Sequence, residues 1–267
     1  MIKIAKVSIM LSLMLSLTSC DQAFYDKQQQ ESKIAQMRDA LEVALEANLK
    51  YREADVNCGW FNSNLTSKII MIPLNKDVID ATVAYKVALE NLTEDEKNKL
   101  LQKSYQHFLR GNSATFVIMI INNDTLEHGK NLIYFNDLRQ DVILLSESQR
   151  VHKLKNYDTN LSTYLSPGLN MGYVSFENFR NDQDKDGFTD TYTIRLDRLT
   201  LTCSNQEKRY QTIALRFDES QVHFVDLIAQ GMSKEDIRNK WVAEPYQDVG
   251  LKANDVANLL VFVIKIL

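Results

Sequence analysis

The sequence predicts an α+β fold in which N-terminal helices are followed by an antiparallel β-sandwich. In residues 31–111, apolar side chains recur at spacings of three and four, as on the buried face of a helix. In residues 112–230, short apolar or alternating segments follow one another, which is typical of strands. With 45% hydrophobic residues, 25% charged residues, eight glycines and three prolines, the composition is that of a compact chain without long linkers.

The first predicted helix covers residues 32–51. Its apolar stripe consists of Ile34, Met37, Leu41, Leu45 and Leu49. A second helix is predicted over residues 77–90. The third begins at Thr93, which can form a capping box with Glu96, and extends through Leu109 to a stop at Gly111.

The strand series begins with residues 68–74, where Pro73 favours an edge position. Residues 114–121 are apolar on both faces and therefore predict a central strand. Alternation at residues 192–196 changes phase by residue 199, which predicts a β-bulge near Asp197 and Arg198. The remaining strand candidates are residues 131–135, 141–145, 172–179, 190–202, 209–217 and 222–228.

Residues 231–267 are expected to rejoin the same body as a helix and a final strand. Ser233 can cap a helix that runs through Val242. Residues 258–267 are rich in β-branched side chains, which favour a strand.

The N-terminus has the charge and hydropathy order of a bacterial secretory signal. Residues 1–6 carry two lysines and no acid, and the apolar run in residues 7–17 is too short to span a bilayer. The tetrapeptide Leu17-Thr18-Ser19-Cys20 resembles the lipobox of bacterial lipoproteins. An ordinary signal peptide or a buried N-terminal helix is the alternative.

The resemblance implies that residues 1–19 are removed and that lipid on Cys20 anchors the protein to a membrane of the cell envelope, facing the periplasm. Two or three acyl chains make such an anchor stable. Asp21 resembles an inner-membrane retention signal, with the outer membrane as the alternative. Residues 20–30 would form a polar tether that spans about 30 Å if fully extended.

Cysteine use fits an exported protein. If Cys20 carries lipid, Cys58 and Cys203 remain, and an even remainder in an oxidising compartment predicts a disulfide. The bridge would stabilise the fold by about 4 to 5 kcal/mol in the chain-entropy model. Two separate buried thiols are the alternative.

One segment has the oxygen-ligand spacing of a calcium loop. Carboxylates occupy its positions 1, 3, 5 and 9, Gly187 suits the sharp turn at position 6, and a backbone carbonyl completes the set. The predicted ligands are Asp182, Asp184, Asp186, the carbonyl of Phe188, and Asp190.

This segment resembles the calcium loop of EF-hands, although Thr193 stands where a bidentate glutamate is expected and strands flank the loop. We therefore expect a metal-stiffened β-hairpin with a structural role. Magnesium suits this ligand set less well. A solvated acidic turn is the alternative.

A second resemblance concerns the strand region. Tyr164-Leu165-Ser166-Pro167-Gly168 followed by Gly172-Tyr173-Val174-Ser175-Phe176 resembles a turn and strand of immunoglobulin-like accessory domains in envelope lipoproteins. The resemblance implies that the predicted sandwich is immunoglobulin-like.

No catalytic motif stands out, since His107, His128, His152 and His223 are scattered. Loss of residues 1–19 would move the net charge from −4 to −6, which does not favour nucleic acid as a partner. We expect a lipid-anchored binding or accessory module for an envelope protein or component. The alternatives are an envelope hydrolase acting on peptidoglycan, glycan or lipid, and a structural lipoprotein of a larger assembly.

Overall fold

A computed structural model provides the fold. It describes residues 2–57, 64–109, 113–123, 132–147, 149–162, 164–177, 191–203, 206–218, 222–243 and 249–267. Side chains are described from Phe24 onward, except at the strand ends 56–57, 64–65, 123, 132 and 177.

Helices dominate both ends of the chain. The helix α1 spans Ile2–Asn48, α2 spans Lys76–Glu90, and α3 spans Glu94–Ser104 and continues as a π-helical turn at Tyr105–Leu109. Two short elements lie among the strands, α4 at Leu138–Asp141 and a 3₁₀ turn at Thr159–Ser162. The C-terminal helices are α5 Phe224–Ala229, α6 Lys234–Trp241 and α7 Ala253–Ile266.

Nine strands form one antiparallel sheet in the described residues. They are β1 Lys50–Asn57, β2 Asn64–Pro73, β3 Ser113–Asn123, β4 Leu132–Phe135, β5 Val142–Ser146, β6 Val151–Tyr157, β7 Gly168–Glu177, β8 Tyr192–Thr202 and β9 Lys208–Phe217.

The sheet curls until its two ends meet. The strands follow the order β1, β2, β3, β7, β6, β5 and β8. The strands β4 and β5 pair with different parts of one edge of β8, and β9 pairs along the other edge. Because β9 also packs beside β1, the sheet is nearly a closed barrel. An α+β fold with an antiparallel sheet is confirmed, and the immunoglobulin-like sandwich is not.

The inside of the curled sheet is the first of two cores. All nine strands contribute apolar side chains to it. Four aromatic rings lie at its centre, with Phe116 in contact with Phe176, Tyr192 and Phe217 at centroid distances of 5.6–5.7 Å. Because one apolar cluster joins every strand, the sheet encloses a packed interior.

The second core lies between the helices and the outer face of β2 and β3. Ile70, Ile72, Val117 and Met119 point outward from these strands and are fully buried by helical side chains. Their inward neighbours along the strands belong to the first core. Both faces of β2 and β3 are therefore apolar, as the sequence predicts for residues 114–121.

The helix α1 runs without a break through the predicted signal, the predicted tether and the first stripe. Residues 20–30 are thus helical, and at 1.5 Å per residue they cover about 15 Å, half of the extended span. Gln30 donates a hydrogen bond to the carbonyl of Ala88, which ties the helix to the end of α2. No helix within the described ranges is long and apolar enough to cross a membrane.

Two predicted strands are wrong. Residues 222–228 contain α5, and residues 258–267 lie in α7. In α7 the buried residues Leu259, Leu260 and Val263 share one helical face, which packs on the helical core. The spacing of these residues therefore outweighs the strand preference of their β-branched neighbours.

Two strands were missed and one local feature was found. The strand β1 falls in a region predicted as helix and loop, and β6 was not predicted. The predicted bulge is confirmed, because the register of β8 against β9 shifts between Leu196 and Leu199. Arg198, within the bulge, has a φ of 53°.

Candidate functional site

The predicted site residues lie mostly outside the described residues. Cys20 belongs to α1, but its side chain is not among those described. Cys58 and the segment 178–190, which holds all five predicted calcium ligands, also lie outside. Within the described ranges, no group of three His, Cys, Asp or Glu side chains is placed to hold a metal ion.

Cys203 is described and is only 1% exposed. It follows β8 and belongs to the inner core together with Leu199 and Leu201. Its backbone N–H donates to the carbonyl of Glu207 at 2.9 Å, which closes the turn into β9. Cys203 therefore lies at the rim of the barrel where β8 ends and β9 begins.

The connection that carries the predicted calcium loop is not a β-hairpin. It joins β7 to β8, yet these strands do not pair, because β6 and β5 lie between them. Three strand spacings of about 4.8 Å separate the two ends. The hairpin expectation is therefore wrong, and residues 178–190 belong to a crossover between separated strands.

A cleft marks the seam where β1 meets β9. Lys50, Tyr51 and Arg52 line it from β1, Leu215 and Arg216 line it from β9, and the end of α1 covers one side. The cleft encloses about 220 Å³. Although β1 and β9 lie side by side, no ladder of backbone hydrogen bonds joins them in the ranges described. We call this site the seam cleft.

The seam cleft has a positive charge balance. Glu46 also lines it, but this buried carboxylate accepts from Nε and Nη2 of Arg238 at 2.6 and 2.5 Å. The charge of Glu46 is thus balanced from within the protein. Lys50, Arg52 and Arg216 contribute three further positive charges to the lining.

A polar cluster outside the seam cleft anchors the start of α2. Asp77 is 5% exposed, and its Oδ2 accepts from the backbone N–H of Val222 at 3.2 Å. Its Oδ1 is buried and has no hydrogen-bond partner among the described residues. Burial raises the pKa of this carboxyl from 3.8 to about 6, against the opposing effects of the Val222 hydrogen bond and the charge of His223.

Asp80 lies one turn further along α2 and is fully engaged. It accepts from Nζ of Lys76 at 2.7 Å and from the hydroxyl of Tyr105. Burial and the hydrogen bond to Asp80 raise the pKa of Tyr105. Because each carboxylate is held by internal partners, the cluster serves to fix α2 to the turn before α5 and to the π-helical turn.

Sequence reasoning missed both sites. The Glu46–Arg238 pair joins residues 192 positions apart, and Asp77 meets Val222 across 145 positions. No local spacing signals either contact. The single sequence clue is that β1 starts with alternating basic residues, Lys50 and Arg52.

Comparisons with known proteins identify no relative by sequence. No family and no curated protein matches the chain. By structure, the chain is similar to a crystal structure described as a novel protein of unknown function from Burkholderia pseudomallei K96243. That likeness has 10% identity and a TM-score of 0.30, and it covers 78% of this chain and 93% of the other.

Proposed function

We propose that this protein is a lipid-anchored lipoprotein of the bacterial cell envelope, and that its folded body is a binding or accessory module. The observation that carries the proposal is Leu17-Thr18-Ser19-Cys20 at the end of a short apolar run. The partner of the module would be an envelope protein or another envelope component.

The course of α1 supports this proposal. Residues 24–29 are exposed, and the hydrogen bond from Gln30 to Ala88 ties the next residue to the body. The helix therefore supplies an exposed stem between the predicted lipid site and the folded body. About ten helical residues separate Cys20 from Gln30, a distance of about 15 Å.

The anchor is tested by replacing Cys20 and following lipid incorporation. In cells fed an alkyne analogue of palmitate, wild-type protein should be labelled and should sediment with membranes. Cys20→Ala should lose the label, whereas Ser19→Ala, which keeps a small residue in the tetrapeptide, should retain it. Labelling of Cys20→Ala equal to wild type would refute the anchor.

The binding role needs a separate experiment. The tagged chain is cross-linked in intact cells and purified from detergent-solubilised envelope, with Cys20→Ala as the mislocalised control. We expect at least one envelope component to be recovered with wild type in near-stoichiometric amount and to be depleted from the control. Recovery of no such component would contradict a binding or accessory role.

We also propose that calcium binds the loop at Asp182–Asp190 and fixes the crossover between β7 and β8. The ligand spacing supports this, and β7 and β8 flank the loop. For a dissociation constant of 10⁻⁴ to 10⁻³ M, 5 mM calcium should stabilise the fold by about 1 to 2 kcal/mol.

Thermal unfolding tests the calcium loop. Wild type should melt at a higher temperature in 5 mM calcium than in 5 mM magnesium, and Asp184→Asn should remove the difference. An unchanged melting temperature in wild type would exclude a site of this affinity.

We infer that Cys58 and Cys203 form a disulfide. Asn57, the last residue of β1, precedes Cys58, and β1 lies beside β9, whose first residue Lys208 pairs with Thr202. Cys58 follows the end of β1 in the sequence and Cys203 precedes the start of β9, which supports the pairing. Faster migration of wild type than of Cys203→Ser on a non-reducing gel would support the bridge, and identical migration would refute it.

A further inference from the structure

We propose that the seam cleft binds the phosphate group of a small ligand. Three features meet there: a cleft of about 220 Å³, three basic residues in its lining, and two strand edges that no ladder joins in the described residues. The proposal does not depend on lipid at Cys20, so its failure would leave the anchor untouched.

The charge of the cleft favours an anion. Lys50, Arg52 and Arg216 together carry three positive charges, while the buried charge of Glu46 is cancelled by Arg238. The C-terminal end of α1 carries about half a negative charge from the helix dipole, which repels an anion. Asp218 lies 3.5 Å from Nε of Arg216, but both side chains are more than 60% exposed, so their attraction is weak. The cations outweigh both opposing effects.

The basic residues are available to a ligand. No carboxylate in the described part of the chain forms an ion pair with Lys50 or Arg52; the neighbouring Glu53 pairs with Lys68 instead, at 3.4 Å. Two arginines present planar forks, which match the oxygens of phosphate better than a single ammonium does. Lys50 adds a flexible point charge.

The geometry of the strands supports the site. The residues Lys50 and Arg52 lie on the face of β1 that also carries the core residue Ala54, because side chains alternate along a strand. Arg216 lies between the inner-core residues Leu215 and Phe217 on β9, so its side chain leaves the outer face of the sheet. An anion in the gap between the two strand edges would be approached by Lys50 and Arg52 from the inner face and by Arg216 from the outer face, where no ladder joins the described parts of β1 and β9.

The volume limits the ligand to a small one. Since a water molecule occupies about 30 Å³ in the liquid, the cleft has room for a volume equal to about seven water molecules. Most ligand sites enclose about 300 to 1,000 Å³. A phosphate with a short substituent fits, whereas a nucleotide would extend into solvent. Both a phosphate monoester and the diester of a lipid headgroup contain the required chemistry.

Calorimetric titration of the full chain in neutral detergent tests the proposal. The probes are inorganic phosphate, glycerol 3-phosphate as a monoester and glycerophosphoglycerol as a headgroup diester, at constant ionic strength. We expect saturable binding of phosphate. Tighter binding of the monoester would assign a small phosphorylated ligand, and tighter binding of the diester would assign a lipid headgroup.

Arginine variants provide the matched controls. Arg52→Gln and Arg216→Gln should each weaken phosphate binding at least about tenfold, since each removes charge-assisted hydrogen bonds. Arg209→Gln should leave binding unchanged, because Arg209 is also on β9 but pairs with Glu207 away from the cleft. Equal melting temperatures would show that the variants fold. Absence of binding at 10 mM phosphate, or equal weakening by all three substitutions, would overturn the proposal.

Discussion

The substitution Asp77→Asn should change how stability depends on pH. Asp77 is buried at the start of α2, and within the described part of the chain only one of its two carboxylate oxygens has a hydrogen-bond partner. Asparagine has nearly the same shape and can accept the same hydrogen bond from Val222, but it carries no charge. The substitution therefore isolates the effect of the buried negative charge.

The size of the effect follows from the pKa. Burial raises the pKa of Asp77 from 3.8 to about 6, so between these values the folded state holds a proton that the unfolded chain has released. Stability from this residue is complete below pH 3.8 and is lost as the pH rises through about 6. A difference of about two pH units corresponds to about 3 kcal/mol.

Urea unfolding at pH 4 and pH 7.5 measures this difference. The free energy of unfolding of Asp77→Asn, minus that of wild type, should be larger at pH 7.5 than at pH 4 by up to about 3 kcal/mol, because only wild type loses stability as Asp77 ionises. Taking the difference between two pH values removes any constant effect of the amide. Asp226→Asn, which removes an exposed acid from the first turn of α5, is the control for loss of a carboxylate at a helix start. An equal difference at both pH values for Asp77→Asn would refute the reasoning.

Three further predictions concern stability. Arg238→Met should lower the free energy of unfolding by about 3 to 5 kcal/mol, because it leaves the buried charge of Glu46 unpaired. Adding Glu46→Gln should recover part of this loss. A double variant as unstable as Arg238→Met would contradict this reasoning. Gly172→Ala should lower the free energy of unfolding in urea by about 1 to 3 kcal/mol, since the new Cβ would lie 2.7 Å from Cδ1 of the buried Leu161. A variant as stable as wild type would disprove this. Thr93→Ala should cost about 1 kcal/mol by loss of the α3 capping box, and an unchanged urea midpoint would contradict that.

Features set by neighbouring residues were predictable from the sequence. The capping box at Thr93 and Glu96 is present because both partners lie within one helical turn. The bulge near Arg198 was visible as a change of alternation within one strand. The helices α2 and α3 were likewise predicted, since apolar spacings of three and four differ from the alternation of strands.

Features that depend on distant partners were not predictable. The strand β1 is polar, and Ala54 is its contribution to the inner core among the described side chains, so its sequence has no strand-like apolar alternation. Closure of the sheet depends on β1 meeting β9, which are about 150 residues apart in the chain. The helix α7 was read as a strand because residue preference was weighed without its packing partners in the helical core.

The unbroken course of α1 makes rotation a property of the proposed anchor. An α-helix turns about 100° and advances about 1.5 Å for each residue. Adding two residues between Cys20 and Gln30 would lift the body by only about 3 Å, yet it would turn the seam cleft through about 200° around the helix axis. A flexible linker would allow every orientation of the folded body. In a helical stem, each added residue changes both the distance of the body from the membrane and its orientation. The number of residues in the stem would then determine which side of the barrel faces a neighbour in the envelope.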